Sequence, residues 1–177
     1  MGEKPVRIAP LGESDRLSLT IGDMAPDFTL PSHNEGELNL AWYRGRKNVV
    51  LAFYPADWTP VCATQIPEYQ KVLSRFEQSE TQLLGISTDS VPCHLAWARS
   101  LGGIEYPLMS DYYPHGEVAS RYGVLNKRGY AERAVFLIDI CGVIRFIDRV
   151  EITRLPDNDK LFDQIAKLGD EQETRQQ

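Results

Sequence analysis

The stretch that decides the fold is residues 49–70, VVLAFYPADWTPVCATQIPEYQ. It begins with an apolar run, residues 49–54, which lacks a helical period and therefore predicts a buried strand. Pro55 ends that strand, and a short turn follows it. Cys62 falls where the turn gives way to a predicted helix. The helix is indicated by apolar residues that recur every three or four positions, namely Ile66, Tyr69, Leu73 and Phe76.

Cys62 at such a junction is well placed for nucleophilic chemistry. The first N–H groups of a helix have no intrahelical acceptor, and the helix dipole is positive at this end. Both effects stabilise a thiolate, which is the reactive form of cysteine. A free cysteine is otherwise a common small residue of a buried core. The strand, turn and helix around Cys62 favour the reactive interpretation.

Length and composition restrict the classes of protein to which this sequence can belong. The 177 residues suit one domain, and a hydrophobic content of 42% is enough for a core. The net charge of −6, without a basic stripe, argues against a nucleic-acid partner. No apolar run reaches membrane-spanning length, and residues 1–18 lack the apolar core of a secretory signal. The odd count of three cysteines argues against a secreted disulfide framework and favours the cytoplasm.

The metal alternative is a zinc site, for which Cys62, Cys93, His94 and Cys141 are the candidate ligands. None of them forms the C-x-x-C or H-x-x-x-H spacing of zinc sites, so the sequence predicts no metal and no cofactor. Cys141 falls in a predicted turn and is interpreted as incidental.

The remaining pattern predicts an α/β domain. Residues 81–87 form a second buried strand, so strand, helix and strand make a parallel crossover unit. Residues 135–138 and 143–147 predict an antiparallel hairpin around a tight turn. A last amphipathic helix begins at Asp157 or Asn158. We expect one domain over residues 19–170, a flexible arm over residues 1–18 and a polar tail over residues 171–177.

Residues 58–62, Trp-Thr-Pro-Val-Cys, are similar to the thioredoxin active site, with Thr59 replacing the first cysteine of its C-x-x-C. The run Pro55-x-x-x-Thr59-x-x-Cys62 resembles the signature of the peroxiredoxins of the alkyl hydroperoxide reductase and thiol-specific antioxidant type. The resemblance extends over about residues 21–167. It implies a thioredoxin-like fold, with a central mixed β-sheet flanked by helices.

The resemblance also implies a thiol peroxidase that reduces hydrogen peroxide and organic hydroperoxides, with Cys62 as the peroxidatic cysteine. Thr59 would hydrogen-bond the sulfur or the peroxide, and Pro55 would close the pocket against water. Arg133 lies in a phrase, residues 132–139, that resembles the segment carrying the active-site arginine. Its guanidinium would hold the thiolate and donate to peroxide oxygen. A lone arginine at the start of a strand is otherwise usually solvated.

Position 65 departs from the family pattern. Typical two-cysteine relatives carry a glutamate three residues after the peroxidatic cysteine, bonded to the arginine. Gln65 can accept a hydrogen bond but brings no charge.

The resemblance implies that a sulfenic acid forms on Cys62 and condenses with a second thiol, which is either Cys93 or an external one. Cys93 begins the next predicted helix, in a phrase that resembles relatives with either a resolving cysteine or another residue there. His94 beside it is either a surface histidine or a base for that thiol. No cysteine follows Cys141, so we expect no C-terminal resolving cysteine, no Tyr-Phe tail over the site, and slow over-oxidation.

Expected partners are a peroxide, a thioredoxin-like or other thiol reductant, and a second copy of the chain in a homodimer or larger assembly. Aromatic residues that could line its interface are Trp42, Tyr43, Tyr112 and Tyr113. A disulfide oxidoreductase is the rival enzyme, but Thr59 argues against it because C-x-x-C exchange needs two sulfurs. A redox-sensing or chaperone-like protein is the non-enzymatic rival, since fold alone does not fix function.

Overall fold

A computed structural model describes residues 19–175, with side chains as far as residue 171. The expected flexible arm, residues 1–18, lies outside the described residues. The strands are β1 (Thr29–Ser32), β2 (Gly36–Asn39), β3 (Asn48–Phe53), β4 (Thr81–Ser87), β5 (Leu108–Ser110), β6 (Arg133–Ile138) and β7 (Ile144–Val150). The helices are α1 (Cys62–Lys71), α2 (Leu73–Gln78), α3 (Val91–Ser100), α4 (Glu117–Arg121) and α5 (Asn158–Arg175), with a 3-10 helix at Leu40–Tyr43.

The strands form one mixed sheet in the order β2-β1-β5-β4-β3-β6-β7. The three central strands β3, β4 and β5 run parallel, whereas β6 and β7 add antiparallel strands at one side. On the other side β1 lies antiparallel to β5, and β2 lies antiparallel to β1. The expected mixed sheet flanked by helices is confirmed.

The crossover and the hairpin fall where the sequence predicts them. In the crossover, β3 and β4 pair in parallel, with Val49 opposite Gln82 and Phe53 opposite Ile86. In the hairpin, β6 and β7 pair in antiparallel fashion around the predicted turn. Strand β5 was not predicted, because a run of three residues is too short to be distinguished from a loop.

Two helix predictions need correction. The single helix expected after Cys62 is two helices, because Val72, with φ −109° and ψ 13°, interrupts it between α1 and α2. The polar tail expected from residue 171 is helical as far as Arg175, where α5 ends.

Each face of the sheet carries its own buried core, and β3 contributes to both. Its alternate residues Val49, Leu51 and Phe53 pack on the α4 side. Val50 and Ala52 point to the opposite face, where Cys62 and the apolar residues of α1, α3 and α5 pack. A strand covered on both faces must be apolar throughout, which explains the continuous run in the sequence. No helix in the described part of the chain is long and apolar enough to cross a membrane.

Candidate active site

The loop at the carboxyl end of β3 delivers Cys62 to the first position of α1. The Tyr54 N–H still donates to the Ile86 carbonyl (3.0 Å), so the loop leaves from a fixed strand end. Pro55 is buried beside it, and Trp58 takes a left-handed conformation with φ 63° as the chain turns. The Cys62 side chain has 0% of its surface exposed. The predicted junction of strand, turn and helix is therefore the one that the structure has.

Arg133 reaches the Cys62 sulfur from the neighbouring strand. It is the first residue of β6, whose next residue, Ala134, pairs with Phe53 at the end of β3. This register brings the guanidinium to the same edge of the sheet as Cys62. Nη2 donates to Sγ of Cys62 at 3.5 Å and to the carbonyl of Ile152 at 3.0 Å. Arg133 is only 2% exposed, so it is not the solvated charge that a lone strand-start arginine usually is.

Gln65 and Tyr69 complete the buried surroundings of Arg133. Gln65 lies one turn after Cys62 on α1, and its Oε1 accepts a hydrogen bond from Nη1 of Arg133. Tyr69 lies one further turn along and is fully buried. Burial raises the pKa of the Tyr69 hydroxyl to about 12, so Tyr69 is a neutral phenol near pH 7. Gln65 Nε2, the Tyr69 hydroxyl and Arg133 Nε have no hydrogen-bond partner among the described residues.

Thr59 is close to the site, but its hydroxyl is engaged elsewhere. The hydroxyl donates to the Ala56 carbonyl at 2.8 Å, within the loop, and the Thr59 carbonyl accepts from the Ala63 N–H at 2.9 Å. The structure therefore shows Thr59 shaping the turn into α1. The hydroxyl oxygen keeps a lone pair that can accept, while its proton faces Ala56.

Cys93 is the third residue of α3 and is half-buried. Its Sγ lies 3.9 Å from a carboxylate oxygen of Asp89. Burial, and next the negative charge of Asp57, raise the pKa of the Cys93 thiol to about 11. Cys93 is therefore a protonated thiol at neutral pH, in contrast to what a fast nucleophile needs.

His94 is not a surface residue, which corrects one of the two expectations for it. It is 0% exposed, and its Nδ1 pairs with Oδ2 of Asp57 at 2.8 Å. The Nε2–H donates to the Met109 carbonyl (3.2 Å), and the Tyr54 hydroxyl donates to the other Asp57 oxygen (2.9 Å). This network anchors the Cys62 loop to α3 and β5. The burial of His94 could have been predicted from the sequence. His94 lies three and four residues before the apolar Trp97 and Ala98, so all three share the inner face of α3.

The cysteines and histidine considered for zinc are not brought together. In the described part of the chain, the group that could share a metal is Asp57, Asp89 and Cys93, whose ligand atoms lie within 4.8 Å of one another. Its carboxylate oxygens already accept hydrogen bonds from Tyr54, His94, Ser87 and the Asp57 N–H. Cys141 is exposed in the turn between β6 and β7.

Comparison with known proteins agrees with this geometry. The AhpC/TSA family profile matches residues 21–147. Alkyl hydroperoxide reductase E of Mycobacterium tuberculosis is 38% identical over 151 residues, which cover 85% of this chain and 98% of the relative. The chloroplastic 2-cysteine peroxiredoxin of Chattonella marina var. antiqua is 40% identical over 138 residues, which cover 73% of this chain and 70% of the relative.

Solved structures give the same result. The reduced 2-Cys peroxiredoxin of Plasmodium vivax superposes with a TM-score of 0.77 at 32% identity, over 82% of this chain and 80% of that one. AhpC of Mycobacterium tuberculosis superposes with a TM-score of 0.77 at 28% identity, over 85% of this chain and 93% of that one. The profile match spans most of the sequence and the relatives agree with it, so this chain belongs to the AhpC/TSA family, the peroxiredoxins.

Proposed function

We propose that Cys62 is the peroxidatic cysteine of this chain and that Arg133 activates it. Membership of the family makes the protein a thiol-dependent peroxidase acting on hydrogen peroxide and organic hydroperoxides. The observation that carries the residue assignment is the contact between the Arg133 guanidinium and Cys62 Sγ, in a buried site at the start of a helix. A cation and the positive end of the helix dipole both favour the thiolate that such a reaction needs.

The chemical step is an in-line displacement at oxygen. The Cys62 thiolate attacks one oxygen of the O–O bond, an S–O bond forms, and the O–O bond breaks. The other oxygen leaves with the bonding pair and takes up a proton, so the products are Cys62 sulfenic acid and water or an alcohol. Arg133 stabilises negative charge that moves from sulfur to the leaving oxygen, which makes catalysis mainly a matter of positioning and electrostatics.

In this proposal Pro55 and Thr59 form the walls of the site around the Cys62 sulfur. Pro55 walls the buried sulfur from water. Thr59 holds the turn through its bond to Ala56, and its hydroxyl can turn to the peroxide when substrate arrives.

An external thiol, rather than Cys93, resolves the sulfenic acid. Support comes from the surroundings of Cys93, where burial and the charge of Asp57 raise its thiol pKa to about 11. A thiol that is mostly protonated attacks slowly. The alternative is an internal Cys62–Cys93 disulfide, which requires the two Cα atoms to approach within about 7 Å through unwinding of one helix start.

The reductant in this proposal is thioredoxin-like or another small dithiol, and the compartment is the cytoplasm, where such reductants keep thiols reduced. The rival disulfide oxidoreductase lacks the first sulfur of its motif at Thr59. A redox sensor on the same fold would be oxidised once per molecule and would not turn over with any thiol reductant.

The test of the assignment is Cys62→Ser, assayed for peroxide consumption with a dithiol reductant. We expect turnover to vanish while the circular dichroism spectrum stays that of the parent. Cys141→Ser is the matched control, because Cys141 is an exposed turn residue, and it should keep the parent rate. Substantial turnover in Cys62→Ser would remove Cys62 from the reaction.

Resolution is tested with Cys93→Ser. We expect parent turnover with an external dithiol, and peptide mapping after one equivalent of peroxide should show Cys62 sulfenic acid without a Cys62–Cys93 peptide. If that cross-linked peptide appears in the parent, and the variant accumulates sulfinic acid faster, Cys93 is the resolving cysteine.

A further inference from the structure

Arg133 is a buried cation whose partners among the described residues include no carboxylate. Its guanidinium bonds the Gln65 amide oxygen, the Ile152 carbonyl and the sulfur of Cys62. The ion pairs of the described residues do not include Arg133. A charge taken out of water without a counter-ion is costly, and it favours any ionisation nearby that supplies the opposite charge.

The orientation of the Gln65 amide is fixed by chemistry. A guanidinium has donors only, so the group that faces Nη1 must be the amide oxygen. Gln65 thereby orients Arg133 as a carboxylate would, but it leaves the positive charge of Arg133 intact.

Within the described residues, no carboxylate forms an ion pair with that guanidinium. Tyr69 is neutral near pH 7 because burial raises its pKa to about 12. Asp148 of β7 and Glu68 of α1 are the carboxylates whose charge reaches Tyr69, and neither pairs with Arg133. Asp148 already faces Lys160, with 3.8 Å between the charged atoms. Cys62 is the remaining group in contact with the guanidinium that can become an anion.

We propose that Gln65 is a positioning residue that holds Arg133 without neutralising it, so that the Cys62 thiolate serves as the counter-ion of the buried guanidinium. This arrangement determines the net charge of the site in each protonation state of Cys62. With glutamine at position 65 the site is neutral when Cys62 is a thiolate and carries +1 when it is a thiol. A glutamate at position 65 would reverse this, making the thiol form neutral and the thiolate form −1.

The inference deepens the proposed function, so its deciding test is a titration that uses no peroxide. The thiolate of Cys62 is titrated by its ultraviolet absorbance in a chain carrying Cys93→Ser and Cys141→Ser, with Cys62→Ser as the blank. Gln65→Glu should move the titration midpoint upward by about one pH unit, which is about a tenfold loss of thiolate at a fixed pH below both midpoints. A failed peroxidase assignment would instead show in the turnover of Cys62→Ser and would leave this titration untouched.

Two controls separate charge from geometry. Gln65→Met removes the hydrogen bond without adding charge, and Gln78→Glu adds the same charge at an exposed position on α2. Gln78→Glu should keep the parent midpoint, whereas Gln65→Met, which only loosens Arg133, should move the midpoint less than Gln65→Glu does. The proposal is overturned if Gln65→Glu does not move the Cys62 titration midpoint. It is also overturned if Gln65→Met moves that midpoint as far as Gln65→Glu does. If Gln65→Glu does not fold, Arg133→Gln tests the same balance, and an unmoved midpoint there also overturns it.

A second readout excludes a merely structural role. The oxidation rate of Gln65→Glu should approach the parent rate as pH rises above its midpoint, because the thiolate is then restored. A variant damaged only in its geometry would stay slower by the same factor at every pH, and that result would contradict the proposal.

Discussion

Arg133 is the residue at which three parts of the fold meet. Its guanidinium joins α1 through Cys62 and Gln65 to the segment after β7 through the Ile152 carbonyl. The planar fork of arginine makes these contacts at once, which a lysine ammonium does not do in the same geometry. The position of the charge relative to the sulfur therefore depends on β6, α1 and the segment at Ile152 together.

We predict that Arg133→Ala slows oxidation of Cys62 by hydroperoxide about 10²-fold, the scale of losing one preorganised donor. The rate is measured by stopped-flow fluorescence. Arg149→Ala is the matched control, because exposed Arg149 only donates to the Gly123 and Tyr122 carbonyls, and it should oxidise at the parent rate. An Arg133→Ala protein that folds and reacts at the parent rate would remove Arg133 from the site.

The residues of the site differ in how far the sequence could predict them. Cys62 was proposed from its place between a strand and a helix and from a phrase that resembles a known family, whereas Arg133 was proposed from such a phrase alone. The Asp57–His94 pair was not, because it joins residues 37 positions apart through the packing of α3 on the loop. A side chain whose partner is set by tertiary structure leaves little local signal in the sequence. For this pair, the local signal is the position of His94 on the inner face of α3.

At the scale of elements, long apolar runs were predictable and short ones were not. The strands β3, β4 and β6 each contain an uninterrupted apolar run of four or five residues, so the length and composition of these runs identify them. The three-residue β5 forms because β4 offers a free edge for parallel pairing, which is a tertiary cause. The break at Val72 was missed because the apolar spacing of α1 continues across it into α2.

Two glycines allow a matched test of the elements around the site. Gly116 precedes α4 with φ +80°, and an added Cβ would lie 2.6 Å from a methyl carbon of Leu125. Gly169 lies inside α5, with nothing within 4 Å of an added Cβ. Gly116→Ala should lower the free energy of unfolding by about 1–3 kcal/mol through backbone strain. Gly169→Ala should raise it by up to about 1 kcal/mol through helix propensity.

Urea denaturation followed by circular dichroism measures both effects. A Gly116→Ala protein as stable as the parent would mean that the loop before α4 adapts its backbone at no cost. A destabilised Gly169→Ala protein would mean that α5 packs differently around that position.

At the scale of the whole molecule, three of the four aromatic residues considered for an interface are exposed, whereas the fourth, Tyr43, packs partly buried against the core. Together with exposed Trp58, these three divide between two edges of the sheet. Trp42 precedes β3 and lies at the amino edge of the parallel strands. Trp58 follows β3, and Tyr112 and Tyr113 follow β5, so all three lie at the carboxyl edge, next to the Cys62 loop. Trp58 is 58% exposed and Tyr113 74% exposed. Exposed aromatic side chains grouped at one edge are typical of a surface that another protein covers.

We therefore predict a homodimer or larger symmetric assembly that covers the carboxyl edge, and light scattering at micromolar concentration measures it. Tyr113→Glu should shift the protein toward monomer, because an interface core tolerates a charge poorly. Trp42→Glu changes another exposed aromatic residue, at the opposite edge, and should leave the assembly intact. Dissociation by Trp42→Glu alone would place the interface at the amino edge. A parent protein that is monomeric in both redox states would rule the assembly out. Because the carboxyl edge also carries the Cys62 loop, a confirmed interface there predicts that Tyr113→Glu slows peroxide reduction as it dissociates the protein.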